Sequence, residues 1–542
     1  MTTQQQNKIK NYLSNPKIKA VGQQIQFTPH QVQEYIKCAQ DEVYFIENYV
    51  KIKNIDGGDM DFILHDYQKD MIDVYKNNRF CITKCPRQVG KSVTIVGGYM
   101  LHYILFNRMK DIGILAHKAE TARELLGRLK FAYEQLPMWL QQGVVTWNKG
   151  SIELENGCTV LAASTSSSAV RGRAFAMAFL DEFAFVPDNI AEEFFKSTYP
   201  TISSGLTSKL IIVSTPHGMN LFYKLWTDAE KKKNSFVPFE IHWSQVPGRD
   251  VKWKEETIKN TSQEQFDEEH ECHFVGSTNT LISGRKLRSM VYDDPIKKTE
   301  NGVHIYKLPE KDRLYNMCVD VSEGLGLDAS AFTVIDITEY PYQLVAKFKN
   351  NKISPILFPS IIEQVAKQYN MASVLVEINS VGGQISDILY HDLEYENMLM
   401  TVAKNKKMTE VSGGFSKSVH RGIKTSLQSK QIGCATLKTL IEDDKLIVPD
   451  FDIISELSSF IVNGKTFEAE IGRTDDLAMC LVHFGWLVNQ QYFKEGVNHN
   501  ITTRMMEEHE EMLMADIMPI YFPQEPLDVN KIIGTQLETK NW

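Results

Sequence analysis

Long apolar runs are what this 542-residue chain most lacks. Its most apolar stretches, such as 174–180 and 480–488, fall far short of the about 20 residues that a bilayer-spanning helix needs, so no membrane association is expected. The opening M-T-T-Q-Q-Q-N-K-I-K has no apolar stretch of the signal-peptide kind, so no secretory route is expected either. Cysteines number only eight and show no paired spacing, which argues against a disulfide scaffold and for thiols in a reducing cytoplasm. Positive charge is also short: 59 Lys and Arg stand against 68 Asp and Glu, a net −9. Broad coating of nucleic acid is therefore unexpected, because phosphate neutralisation needs clustered basic residues. A local basic groove stays open. There is no internal repeat and no low-complexity tract, which leaves solenoids aside.

The chain is too long for one hydrophobic core, and its rhythm changes along its length. Residues 1–60 read as a polar, helical N-terminal segment with apolar periodicity over 32–50. From 61 to 245, short apolar strands at 79–84, 111–116, 151–162, 176–181 and 209–214 alternate with amphipathic helices, the pattern of a mostly parallel, helix-covered sheet. Residues 246–304 are charged and largely helical and read as a lid and linker. Within them H-E-C-H at 270–273 has zinc-ligand residue types, but no second ligand pair has suitable spacing, so it is expected to be an exposed helix segment. A new rhythm fills 305–495: strands at 314–321, 330–337 and 343–349, a helix at 358–370, a strand at 373–378 and a helix from 383. Three antiparallel strands followed by an αβα alternation predict a ribonuclease-H-like domain. The tail at 496–542 is acidic and Met-rich. The fold class expected is α/β.

C-P-R-Q-V-G-K-S at 85–92 lies between the strand R-F-C-I-T-K and an apolar helix, which is the setting of a P-loop. Cys85 stands where that pattern has its first Gly. The backbone of Arg87, Gln88, Val89, Gly90, Lys91 and Ser92 would cradle phosphate at a helix N-terminus. Lys91 would reach the β- and γ-oxygens and Ser92 would hold Mg²⁺. Downstream, the apolar strand A-M-A-F-L-D-E ends in Asp181, for Mg²⁺, and Glu182, to polarise the attacking water; the bland alternative is a surface acidic pair. Ser214 and Thr215 end L-I-I-V-S-T-P, suited to a γ-phosphate contact or to a plain strand-to-turn junction. Tyr67 and Gln68 precede the first strand, where the Gln amide would read adenine. Arg171 and Arg173, with Arg87 as a rival, are candidates to neutralise transition-state charge; each is equally readable as a surface ion-pair partner.

Three acidic positions in the last large segment fit a two-metal nuclease. Asp320 ends an alternating strand, Glu377 ends V-L-V-E, and Asp475–Asp476 open an apolar helix. The pair would also serve as ordinary helix-terminal acids. Jointly the carboxylates would bind two hard cations that generate hydroxide and stabilise the leaving oxygen. Lys404, Lys406, Lys407, Lys417, His420, Arg421, Lys424 and Lys430, with Gly413 and Gly414, predict a flexible phosphate-contacting loop running into a helix, or a solvated basic face.

P-R-Q-V-G-K-S, the R-G-R before F-L-D-E, S-T-P-H-G, V-D-V-S-E-G, V-E-I-N-S-V-G and T-D-D-L-A-M together resemble the large terminase subunit of tailed bacteriophages, its T-even-like branch in particular. The resemblance covers about residues 60–490. It implies an ASCE-type ATPase fused to a ribonuclease-H-like nuclease, with ATP and Mg²⁺ as cofactors and Mn²⁺ as an alternative at the nuclease. It implies double-stranded DNA, a portal protein and a small terminase subunit as partners, and a homo-oligomeric ring, typically a pentamer, on a prohead. The expected location is the host cytoplasm during assembly and not the mature virion. By motif match, Lys91 and Ser92 are Walker A, Asp181 and Glu182 are Walker B with the catalytic acid, and Ser214–Pro216 is the coupling motif. Asp320, Glu377 and one or both of Asp475 and Asp476 are the nuclease metal ligands. A helicase–nuclease fusion and a non-catalytic ATP-binding scaffold are the competing readings.

Overall fold

Alternating apolar runs and amphipathic helices assemble into two sheet-centred units in the computed structural model, which describes residues 11–54, 58–166, 173–274, 279–324, 328–405, 408–412, 419–470, 472–491 and 493–494. Arg171 and the tail at 496–542 lie outside the described residues. The first unit is an eight-stranded sheet of β1 (Phe80–Lys84), β2 (Asp111–Ala116), β3 (Val144–Trp147), β4 (Ser151–Leu154), β5 (Thr159–Ser164), β6 (Met177–Asp181), β7 (Lys209–Ser214) and β8 (Val237–Glu240). Its order is β8-β1-β7-β6-β2-β5-β4-β3, and the run from β8 to β5 is parallel throughout. Parallel strands buried on both faces read as continuous apolar runs, as M-A-F-L-D does here.

Residues 151–162, expected as one strand, are two antiparallel strands, β4 and the start of β5, which lie between β2 and the edge strand β3. The turn between them places Gly157 at φ +78°, a conformation glycine adopts at little cost. The expected helix over 32–50 is likewise two, Pro29–Gln40 and Glu42–Tyr49, divided at Asp41. The Asp41 side chain accepts from the Tyr44 N–H at 2.9 Å and so starts the second helix while ending the first. Phe45 and Ile46 of that second helix are fully buried in the same core as the helix that follows the P-loop.

The second unit centres on β9 (Tyr315–Asp320), β10 (Ser330–Asp336), β11 (Tyr342–Asn350) and β12 (Ser373–Val376). The first three are antiparallel neighbours, and β12 returns parallel to β9 after the helix Phe358–Gln368. Two helices, α1 (Leu427–Glu442) and α2 (Asp476–Val488), pack against each other beside this sheet. Their approach is close because both carry glycine at the crossing. A Cβ on Gly433 would lie 2.3 Å from the Val482 carbonyl oxygen, and one on Gly485 would lie 2.5 Å from the Gly433 oxygen. Gly485→Ala is therefore expected to lower stability by about 3 kcal/mol, the upper range for overpacking against backbone. Calorimetry should show the transition of this unit shifted down, and an unshifted transition would refute the crossing argument. Arg473, on the loop before α2, forms an ion pair with Asp188 of the first unit.

Among the described residues no helix is long and apolar enough to cross a membrane. The segment between the units consists of the helices Val251–Asn260, Gln263–Glu269 and Gly284–Ser289, and the described residues contain no second parallel sheet of the first kind. H-E-C-H is not an exposed helix segment: the helix ends at Glu269, Cys272 is buried and the His270 imidazole is partly so.

Candidate nucleotide and nuclease sites

At the C-terminal edge of the first sheet, β1 runs into the loop 85–92 and the chain then winds into a helix, π-wound over Val93–Met100 and α-wound over Leu101–Phe106. The left-handed positions of the loop are Gln88 at φ 59° and Gly90 at φ 72°, not position 85. Cys85 therefore occupies the place of the usual first Gly without backbone strain, and its thiol is buried, which pushes its pKa up to about 12. The left-handed backbone at Gly90 favours glycine, and a Cβ there would also press on Gln68 Nε2, at 2.7 Å.

Tyr67 and Gln68 brace this loop. The Tyr67 hydroxyl donates to the Val89 carbonyl at 3.0 Å and the Gln68 amide reaches the same oxygen at 3.5 Å. Gln68 Oε1 accepts from the His65 N–H at 2.9 Å. Gln68 is thus engaged by protein at both ends of its amide and is only 3% exposed. Arg249 was not singled out from the sequence, yet its guanidinium donates to the carbonyls of Arg87 (2.9 Å) and Gln88 (3.3 Å) and lies over the Trp253 ring. No motif marks it; only the fold brings the segment after β8 onto the loop. Arg87 is half-exposed and paired with Glu269 at 3.4 Å. Arg173 is exposed.

β6 lies two strands from β1, beyond β7, and delivers Asp181 and Glu182 opposite the loop. Ser92 donates to Asp181 Oδ2 at 3.4 Å, and Lys91 is in contact with Glu182. Burial raises Asp181 to about 6 against the pull of Lys91. Burial works against the Lys91 ammonium too, but surrounding anionic groups, Glu182 and Asp181 among them, hold its pKa above the ordinary lysine value. Glu182 itself has φ 51°, a left-handed conformation rare outside glycine. The buried atoms Asp181 Oδ1, Glu182 Oε2 and Thr215 Oγ1 have no hydrogen-bond partner among the described residues. Orphaned oxygens facing a buried lysine and a phosphate-type loop suit a nucleotide with its cation. Ser214 ties the parts together: its carbonyl accepts from the Cys85 N–H at 3.2 Å and its hydroxyl from the Ala184 N–H at 3.1 Å.

In the second unit the register of β9 and β12 decides the site. Val319 pairs with Val376, and the Glu377 N–H donates to the Val319 carbonyl at 2.9 Å, so Asp320 and Glu377 emerge side by side. Both line a cavity of about 520 Å³ with Asp475, Asp476, Lys430 and Thr425. Glu323 and Asp328 line it as well; they sit on a loop whose sequence has no periodicity to mark them. Burial, a hydrogen bond to Glu377 and the charges of Glu377, Asp476 and Asp475 raise the Asp320 pKa well above its ordinary value.

Neither Asp475 nor Asp476 caps α2 in the manner of an ordinary helix-terminal acid. Asp475 occupies the cap position without a side-chain cap bond, and the Ala478 N–H donates instead to Glu456 at 2.8 Å. Asp476 Oδ1 accepts from the Ala329 N–H at 3.0 Å and Oδ2 is 3.2 Å from Lys349 Nζ. A buried carboxylate cluster of this density fits a hard divalent cation. Of the basic stretch, His420 and Lys424 are exposed, Arg421 and Lys430 are half-buried, and Lys406, Lys407, Gly413, Gly414 and Lys417 lie outside the described residues. The described part up to 420, including the backbone of Lys404, is not a loop but three paired strands, Met400–Asn405, Met408–Ser412 and Val419–His420, whereas Arg421 and Lys424 lie in the connection that runs, as expected, into the helix Leu427–Glu442 carrying Lys430.

Comparison with known proteins matches both sheet-centred units to one family. Residues 82–289 match the family model described as terminase large subunit, T4likevirus-type, N-terminal, and residues 317–484 match the terminase RNaseH-like domain. The chain is 23% identical over 372 residues to the large terminase subunit of Thermus phage G20c, covering 64% of this chain and 68% of that protein. It is 24% identical over 372 residues, with the same coverage, to that of Thermus virus P23-45. Among solved structures it is similar to the HK97 bacteriophage large terminase, at 14% identity and a TM-score of 0.48, covering 83% of this chain and 99% of that one.

Proposed function

Since this chain belongs to the terminase large-subunit family, we propose that its two sites act on one substrate: the first hydrolyses ATP to drive double-stranded phage DNA through a portal into a prohead, and the second cuts the concatemer when packaging starts and ends. The observation that carries this reading is the pairing, on one chain, of a phosphate loop facing Asp181 and Glu182 with a separate pocket of clustered carboxylates. A helicase–nuclease would need a second motor sheet, which the described residues do not contain.

In this reading Lys91 and the loop amides bind the β- and γ-phosphates, Ser92 and Asp181 hold Mg²⁺, and Glu182 polarises the attacking water. Bound Mg²⁺ would neutralise charge on the transferring phosphoryl group. Tyr67 and Gln68 fix the loop's shape, a role supported by their bonds to Val89. Ser214 and Thr215 link the loop to the segment after Glu182, and Arg87 or Arg171 supplies the transition-state cation. At the second site Asp320, Glu377 and Asp476, with Asp475 beside them, hold Mg²⁺ or Mn²⁺, which would supply metal-activated water for phosphodiester hydrolysis. Lys424 and Lys430 meet the DNA backbone. The working form is a ring, a pentamer by the family resemblance, docked on the portal with a small subunit in the host cytoplasm.

The test is one incubation of the full chain with plasmid DNA, ATP and either Mg²⁺ or Mn²⁺, following phosphate release and DNA length together. Both should require the metal and stop with EDTA. Strand separation in place of cleavage, or metal-independent cutting, would overturn the proposal.

A further inference from the structure

We propose that Arg249, on the segment between the two units, is a positioning residue of the ATPase that clamps the phosphate loop in its binding shape; this rests on that loop binding nucleotide. The sheet brings the two together. β8 runs parallel to β1 with Glu240 beside Lys84, and the Ile241 N–H donates to the Lys84 carbonyl at 3.0 Å. The chain leaving β8 therefore starts beside the chain that becomes the loop. A single 3₁₀ turn, Trp243–Gln245, then carries it round so that Arg249 returns to residues 87 and 88.

Arg249 Nη2 donates to two successive loop carbonyls, those of Arg87 at 2.9 Å and Gln88 at 3.3 Å. The Tyr67 hydroxyl takes the next one, that of Val89, at 3.0 Å. In a trans peptide the N–H lies opposite the C=O. Holding three carbonyls in a row therefore fixes the N–H groups of Gln88, Val89 and Gly90, each directed away from its own clamp. Those are amides that a phosphate cradle needs aimed. The Arg87 N–H is taken by the Glu269 carbonyl at 3.1 Å, so the cradle begins at Gln88. Gln88 is also left-handed, at φ 59°, a conformation that persists in a non-glycine residue only where its surroundings hold it. The bond to its carbonyl is such a hold.

Arg249 is itself aimed. Its guanidinium lies over the Trp253 ring, 4.8 Å from the centroid. The Asp250 side chain starts the helix that carries Trp253, accepting from the Trp253 N–H at 2.8 Å. Nη1 is buried and has no partner among the described residues, so there the loop carbonyls are what the group is held for. A planar cation laid flat on an indole keeps Nη2 in one direction, which a flexible ammonium does not.

The experiment measures equilibrium binding of ATP and of ADP to the full chain, with phosphate release followed over a range of ATP. Plasmid cleavage with Mn²⁺ and no ATP is run on the same preparations. Arg249→Met keeps an apolar stem against Trp253 and removes the donors. It should raise the Kd for ATP and ADP alike by about 10–100-fold, the range for hydrogen bonds from a charged donor, because both nucleotides carry a β-phosphate. KM should rise with Kd while kcat changes less, since the cradle acts in ground state and transition state together. Plasmid cleavage, which belongs to the other sheet, should be unchanged. Arg249→Lys keeps the charge without the flat group and should recover only part of the loss. Native Kd and KM in Arg249→Met overturn the clamp. Full recovery in Arg249→Lys overturns it too, by reducing the effect to charge, and so does a fall in kcat at native Kd. Should Arg249→Met also lose plasmid cleavage, it reports misfolding and Arg249→Lys decides: weakened binding supports the clamp and native binding overturns it. Lys91→Ala separates the two readings. If it binds ATP normally, the nucleotide site fails first; if it loses ATP while Arg249→Met binds as the native protein does, only the clamp fails.

Discussion

Glu182→Gln is expected to bind ATP as the native protein does and to hydrolyse it about 10²–10⁴-fold more slowly, the span a positioned general base contributes. The substitution is close to isosteric and keeps the residue at the end of β6, where the backbone is already left-handed at φ 51°. What disappears is the capacity to polarise water. The contact between Lys91 and Glu182 makes the outcome sharper. With no nucleotide bound, these two charges satisfy each other, so the carboxylate must release Lys91 to phosphate when ATP enters. Gln at 182 releases that ammonium from the outset, so affinity for ATP should stay level or rise. Lys91→Ala would behave in the opposite way, losing binding along with turnover. Equilibrium binding of a fluorescent ATP analogue, set beside steady-state phosphate release, distinguishes the two. Turnover by Glu182→Gln within about threefold of native, well inside the general-base span, would move the catalytic assignment to another group.

The nucleotide site was legible because its chemistry is local. A strand, eight loop residues and a helix follow one another, and the backbone of one segment makes the cradle. Asp181 and Glu182 were legible for a related reason, since an acidic pair closing an apolar strand must surface at the sheet's edge. What surrounds them was not. Gln68 lies near the loop as its position suggests, but its amide is turned to Val89 and His65, and only the packing of its helix decides that. Arg249 reaches the loop from 162 residues away, with no periodicity to announce it. The hairpin within 151–162 did leave a sign: Asn156–Gly157 is a strong turn pair, and the apolar residues on both sides concealed it.

The nuclease pocket divides similarly. Asp320 and Glu377 could be placed because strand order and parallel pairing fix their neighbours. Glu323, Asp328 and Thr425 come from loops whose arrival depends on tertiary packing, and singly each looks ordinary. The pair at 475–476 could not be separated by sequence, because adjacent acids at a helix start serve capping as well as metal. The helix start is satisfied elsewhere, by Glu456, which leaves both acids to the pocket.

Asp320→Asn should abolish DNA cleavage, leave ATP turnover intact and make the metal-free protein more resistant to heat. The first effect follows from ligand chemistry. A neutral amide in place of the central carboxylate removes the charge that binds the cation, and several kcal/mol of transition-state stabilisation correspond to at least about 10²–10⁴ in rate. The second follows from distance, since Asp320 belongs to a different sheet from Lys91 and Glu182. The third comes from the cost of assembling the site. Burial, with Glu377, Asp476 and Asp475 close by, raises the Asp320 pKa above its unfolded value. A carboxyl raised in this way opposes folding once pH exceeds its unfolded pKa, and that penalty is absent below it. At neutral pH in EDTA the variant should therefore melt above the native protein. Adding Mn²⁺ should raise the native melting temperature by mass action and leave the variant's nearly unmoved. Plasmid cleavage and paired melting curves with and without Mn²⁺ check all of this on one preparation. A variant that nicks plasmid at the native rate would remove Asp320 from the site. One that is inactive yet gains the full Mn²⁺ stabilisation would place the metal on the other carboxylates and leave Asp320 a role in the chemistry alone.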